Sequence, residues 1–218
     1  MKIYLCMLCS LIVLLWLQMD TKAFAKTIVI DNYKEGISTK WKEKSIKGKT
    51  DYRLSYNDEI RCIQATSNSS ASALYCKIDY DLNNYPFLSW QWKIDHILAK
   101  GNALKKEGCD FAARLYAVFQ SAIPLKAKAL SYIWASSLPM GKAVVHPYSK
   151  NTILLALQSG QDNCGKWILE KRNVLQDYHD IFGMGPPKVG AIAIMTDSDN
   201  TGESAIAWYG PIQIIGKH

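Results

Sequence analysis

The densest run of oxygen-bearing side chains is Thr196-Asp197-Ser198-Asp199-Asn200-Thr201-Gly202-Glu203. Carboxylates at alternate positions followed by Thr and Gly mimic the opening of a calcium loop, where hard oxygens converge on a hard cation. On that reading Asp197, Asp199 and Asn200 are the ligands. The match stops further on, because the twelfth position is Trp208 rather than a bidentate Glu. The reading we prefer is a turn between strands, in which Asp and Asn side chains bond to the backbone and Gly202 takes a positive φ. A structural calcium is therefore the one cofactor the sequence suggests, and nothing in it demands a cofactor.

Asp110 and Arg114 form a second constellation. Four residues apart on a strand, they share a face, with Tyr116 following on the same side. Arg and Asp are seldom buried without partners, so this is either an internal ion-pair network or a clamp for a polar ligand. Arg172 and Asp177, at a strand-to-helix junction, can join either. Trp134 adds a ring that fills a core or, if exposed, stacks on a sugar. Asp110, Arg114, Tyr116, Trp134, Arg172 and Asp177 are accordingly the candidate ligand-binding residues.

Other chemistry is poorly represented. There is no G-x-S-x-G, no Gly-rich loop opening a helix and no H-E-x-x-H. His96, His146 and His179 have no histidine partner at metal spacing and read as surface or turn residues. Paired carboxylates for glycoside hydrolysis, drawn from Asp110, Asp177, Asp197 and Asp199, remain an alternative that spacing alone does not test.

The elements that must position these groups are mostly strands. Leu88, Trp90, Trp92 and Ile94 share one face of a strand, as do Leu115, Ala117 and Phe119 with Phe111 and Ala113 in the next. Ile60–Thr66 and Ser72–Asp79 flank a polar linker that reads as a hairpin turn. Centring that turn on Ser69 sets Cys62 opposite Cys76 and predicts a cross-strand disulfide, leaving Cys109 and Cys164 as a second pair. One helix interrupts the series, with Asn173 as N-cap, Val174, Tyr178 and Ile181 near helical spacing, and Gly183 as a left-handed stop. Residues 98–109 look like the most exposed insertion. Many short strands with one helix near 173–183 predict an all-β fold, a β-sandwich of jelly-roll, galactose-binding-like type.

Residues 1–25 have the three parts of a secretory signal: Lys2, an apolar run through Leu17, and Ala23-Phe24-Ala25 as a small-x-small cleavage site. Asp20 and Lys22 stop that run short of the ~20 residues of a membrane span. Cleavage after Ala25 leaves residues 26–218 as a single β-sandwich domain with no transmembrane anchor, periplasmic or secreted, where disulfides are permitted. The net charge of +7 is concentrated in Lys40–Lys49 and around Lys100–Lys106. No Arg/aromatic interleaving accompanies these lysines, so nucleic acid is not an expected partner.

The blocks Tyr85-Pro86-Phe87-Leu88-Ser89-Trp90-Gln91-Trp92-Lys93, Asp110 through Tyr116, Tyr132-Ile133-Trp134-Ala135, Pro147-Tyr148, Arg172-Asn173-Val174 with Asp177-Tyr178, and Met195 through Gly202 with Tyr209-Gly210 occur in this order. Their order resembles the bacterial exported family called domain of unknown function 3047, over nearly the whole of residues 26–218. The chain departs from that family at Cys109, where an acidic residue commonly precedes the Asp, and at Ser136, where Asn is usual. The first departure removes a carboxylate from the Asp110 cluster. The resemblance implies fold and export and carries no activity. Taken together, the expectation is an exported, non-catalytic, glycan-binding or envelope-associated sandwich. A polysaccharide hydrolase and a structural or protein-interaction subunit are the alternatives, and oligomeric state is left open.

Overall fold

The computed structural model describes residues 26–123, 126–183 and 185–217. The signal segment and its cleavage site, residues 1–25, lie outside the described residues. Among the described residues thirteen strands run in chain order: β1 (Thr27–Asp31), β2 (Trp41–Lys47), β3 (Asp51–Asn57), β4 (Ile60–Asn68), β5 (Ala71–Tyr80), β6 (Phe87–Ile94), β7 (Arg114–Phe119), β8 (Ala129–Ala135), β9 (Ala143–His146), β10 (Ser149–Ser159), β11 (Ile168–Asn173), β12 (Val189–Asp197) and β13 (Ser204–Ile215). A single α-helix among the described residues, α1 (Val174–Phe182), sits between β11 and β12.

The strands form two sheets. A six-stranded sheet has the order β11-β6-β13-β4-β3, with β1 pairing the far half of β13. A seven-stranded sheet has the order β2-β5-β12-β7-β8-β10-β9. Pairing is antiparallel except between β8 and β10. This is a jelly-roll β-sandwich, as the alternating pattern predicts. Its core lies where the alternation puts it. Leu88, Trp90, Trp92 and Ile94 of β6 all point between the sheets. There Trp90 meets Tyr132 of β8 at 5.3 Å between ring centroids, and Trp92 meets Trp134 at 6.0 Å. Interleaved rings of this size dominate the apolar area removed from water.

The helix follows its sequence signals. The Asn173 side chain accepts the Gln176 N–H at 3.1 Å, and Gly183 takes φ 67° as the left-handed C-terminal residue. Tyr178 then packs on Phe119 at 4.5 Å, which fixes α1 against the end of β7.

Three expectations are corrected. β4 and β5 do not pair with each other: Cys62 lies on the six-stranded sheet and Cys76 on the seven-stranded one, opposite Trp41 and Ile192. The turn at Ser69–Ser70 is a corner between layers, so the Cys62–Cys76 disulfide is not formed. Cys109 and Cys164 are free thiols as well. Second, β7 begins at Arg114, so Asp110 and Phe111 precede it in irregular chain, and Phe111 belongs to a second apolar cluster rather than the main core. Third, the 98–109 segment is not simply exposed. Ala103, Gly108 and Cys109 are buried because the segment folds over the outer face of β8 and covers Ile133 and Ala135, while Leu98 packs into the main core.

Candidate functional site

The covering segment returns the chain to β7 beside the end of β12, and there the polar residues gather. Asp110 has no exposed surface. Its Oδ2 accepts the backbone N–H groups of Asn200 at 2.9 Å and Thr201 at 2.6 Å, and its Oδ1 accepts Asn200 Nδ2 at 2.7 Å. These bonds hold the turn after β12, which closes on itself through Gly202 N–H to Ser198 O at 2.9 Å, with Gly202 at φ 71°.

Arg114 is equally buried. Its Nε donates to Asp197 Oδ1 at 2.9 Å, its Nη2 pairs with Asp197 Oδ2, and the guanidinium lies over the Phe111 ring at 4.7 Å. Asp197 Oδ1 also accepts the Phe111 N–H at 3.1 Å. The three carboxylates Asp110, Asp197 and Asp199 thus have oxygens within 4.8 Å of one another. Asp199 is half-buried, and burial, then the charge of Asp110, push its pKa up. Two of the three carboxylates are already engaged, one by backbone amides and the other by a guanidinium. As a cation site the group could offer its remaining oxygen lone pairs, with Arg114 competing at Asp197.

In front of this cluster lies a cleft of about 400 Å³ on the outer face of the seven-stranded sheet. Its floor is Ala71, Met195 and Tyr116, and Ile46 closes the β2 side. The opposite wall is His146 and Tyr148, which follow one another through the short β9–β10 turn. Tyr148 N–H donates to His146 Nδ1 at 3.1 Å, and His146 Nε2 lies 3.5 Å from Arg114 Nη1 and 3.8 Å from Cys109 Sγ. Burial, and secondarily the Arg114 charge, push the His146 pKa down to about 4. Tyr148 Oη lies 2.6 Å from Asn200 Oδ1 and carries its ring to the rim, more than half exposed.

The sequence candidates divide accordingly. Asp110, Arg114, Tyr116, Asp197, Asp199 and Asn200 come together at this cleft. Trp134 does not: its ring is buried between the sheets and its Nε1 donates to Gly160 O at 3.2 Å. Arg172 and Asp177 form a separate bidentate pair that ties β11 to α1, with Tyr132 Oη donating to Asp177 Oδ2 at 2.9 Å. His146, Tyr148, Met195 and Ile46 were not singled out. Tyr148 and Met195 stand only in the blocks that carry the family resemblance, His146 reads as a surface or turn residue and Ile46 gives no signal, because the β9–β10 wall reaches the cleft through tertiary contact rather than spacing.

Solved structures with similar backbones share little sequence with this chain. The Emp47p carbohydrate recognition domain has a TM-score of 0.48 at 9% identity, covering 90% of this chain and 99% of its own. The xyloglucanase domain of NopAA from Sinorhizobium fredii, in complex with cellobiose, has a TM-score of 0.47 at 9% identity, covering 88% and 98%. CBM27-1 of Caldicellulosiruptor saccharolyticus, in complex with mannohexaose, has a TM-score of 0.44 at 12% identity, covering 87% and 96%. No curated protein matches. The sequence itself places the chain more firmly: it belongs to the family described as "Protein of unknown function (DUF3047)", which matches residues 39–213.

Proposed function

We propose that this protein is an exported glycan-binding β-sandwich without catalysis, and that its ligand sits in the cleft between Tyr116 and the His146–Tyr148 wall. The observation that carries this reading is the division of work within the cleft. The carboxylates that could serve hydrolysis, Asp110 and Asp197, are spent on the turn and on Arg114. The groups left facing the opening are two phenol rings, a neutral imidazole, a thioether and the single half-buried carboxylate of Asp199. Such a mixture of flat apolar surface and a few hydrogen-bonding groups suits a hydroxyl-rich ring, and it lacks a free pair of carboxylates to cut one. Asp177, bound to Arg172 and Tyr132, stands at a different place and has no part in the cleft. Export rests on the signal pattern of residues 1–25. Among the described residues no helix is long and apolar enough to cross a membrane.

A glycan array followed by titration calorimetry on Tyr116→Ala and Tyr148→Ala tests the reading. Binding weakened about tenfold or more by either change, with unchanged melting, supports it; loss of one stacked ring is worth about that much. Release of new reducing ends from a bound polysaccharide would favour the hydrolase instead. Absence of binding to every glycan would overturn both.

A further inference from the structure

The cleft is one end of a longer surface. Cross-strand partners share a sheet face, so the register of the outer face can be read row by row. One row runs Lys42, Tyr75, Ala193, Tyr116 across β2, β5, β12 and β7. The next, toward the cleft, runs Lys44, Ala73, Met195, Arg114. On the other side Lys77, Ala191 and Val118 follow. Tyr75 and Tyr116 therefore stand on either side of Ala193, over a floor of alanines. Beyond Val118 a second depression opens, lined by Tyr75, Lys77, Gln120, Ser121 and Gly190. From Ala71 at the cleft to Lys77 at the far depression the path spans about 20 Å, at ~3.4 Å per residue.

Positive charge predominates along the strand part of this path. Lys42, Lys44 and Lys77 are exposed, and none forms an ion pair among the described residues. Asp79, the next carboxylate along β5, is neutralised by Lys188 at 3.1 Å. Asp199 lies at the cleft end, where Lys47 Nζ donates to its carbonyl at 3.1 Å. A single ring would use the cleft alone. Two depressions joined by a tyrosine-flanked floor, with lysines along one border, fit a chain.

We propose that this face takes a linear anionic polysaccharide, laid along β5, β12 and β7 from the Arg114 cleft to the Gln120 depression, with Lys42, Lys44 and Lys77 meeting its carboxylate or sulfate groups. The proposal rests on the glycan-binding reading and narrows it to a ligand class. The three lysines are surface residues of strands, so replacing them with Gln leaves the fold intact.

The test is calorimetry on residues 26–218 with four ligand sets: oligogalacturonates from disaccharide to hexasaccharide, sulfated dextran oligomers, neutral dextran oligomers, and poly-L-glutamate. Wild-type affinity should rise with oligogalacturonate or sulfated-dextran length, exceed that for neutral chains, and fall with added salt. The comparison of the two anionic sets tells carboxylate from sulfate. The triple variant Lys42→Gln, Lys44→Gln, Lys77→Gln should lose about tenfold on the anionic chain at low salt and little on a neutral one. Retained wild-type affinity in that variant, a disaccharide that binds as tightly as a hexasaccharide, or equal binding of poly-L-glutamate overturns the proposal. Neutral glycans bound as tightly as charged ones sink this inference while leaving glycan binding intact. Failure of every glycan sinks both.

Discussion

Asp110 is a carboxylate that never meets solvent and yet accepts three N–H groups from the turn after β12. Hydrogen bonds to a charged acceptor are strong, and stranding their buried donors is costly, so Asp110→Ala should destabilise the protein by about 3 kcal/mol or more. The sequence alone assigns the turn to its own side chains, Asp197, Asp199 and Asn200. Asp199 instead accepts Asn200 Nδ2 at 3.3 Å and a backbone bond within its own residue, so Asp199→Ala should cost less than about 1 kcal/mol. Urea denaturation of the two variants separates them, and equal losses would overturn the assignment. Melts with chelator and with added calcium belong beside them. The committed oxygens of Asp110 and Asp197 lead us to expect no shift, whereas a wild-type melting temperature lowered by chelator and restored by calcium would establish a bound ion.

His146 makes a different forecast at the same scale. Its imidazole is pushed down to about 4 in the folded cleft, against about 6.5 in an unfolded chain. Between those values the unfolded chain takes up a proton that the folded cleft refuses. Stability should therefore rise with pH across that window, and be lost as pH falls from about 6.5 toward 4. His146→Gln, which cannot titrate, should flatten that part of the curve. Urea midpoints at about pH 4.5 and about pH 7 check it, and an unchanged difference in the variant would reject the assignment.

Among the elements, β6 and α1 were legible because each carries its own local code. Alternation alone sorts Trp90 and Trp92 to one face, and Asn173 and Gly183 mark the ends of a helix by what their backbones and side chains do there. The 60–80 segment carried an equally clear alternation and was misread. Period two tells which face a residue takes, but it does not tell which strand lies beside it. β4 and β5 are joined by a turn as short as a hairpin's, and Ser69 takes φ 47° there. The Ser67 hydroxyl meanwhile bonds Ser70 O at 2.7 Å and Ser198 Oγ at 2.8 Å, drawing the corner toward the loop after β12. That partner is 131 residues away, beyond any local signal. The site was half legible for the same reason. Asp110, Arg114 and the 197–200 loop announced themselves by composition, while the β9–β10 wall that completes the cleft is brought in by a parallel pairing of β10 with β8.

For the molecule as a whole, the sandwich is held by its core and not by bridges. Residues 26–218 are enough chain to bury such a core without cross-links. Burial pushes the Cys62 thiol up to about 11 and raises Cys76, Cys109 and Cys164 as well. Thiolate is the species that oxidises, so these groups should stay reduced even in an oxidising compartment. The melting temperature should accordingly be indifferent to reductant, and the four thiols should react with Ellman's reagent quickly only after unfolding. A lower melting temperature in reductant would show a bridge between two of them.

The ends of the described chain meet on the six-stranded sheet. Thr27 pairs with Ile215, and Gly216 N–H donates to Lys26 O at 2.8 Å. The cleft and its groove occupy the outer side of the other sheet. Anything joined at either end would therefore hang the sandwich from one corner of the opposite layer, leaving the grooved face turned outward. A polymer could then reach the groove without meeting whatever is joined at the back of the sandwich.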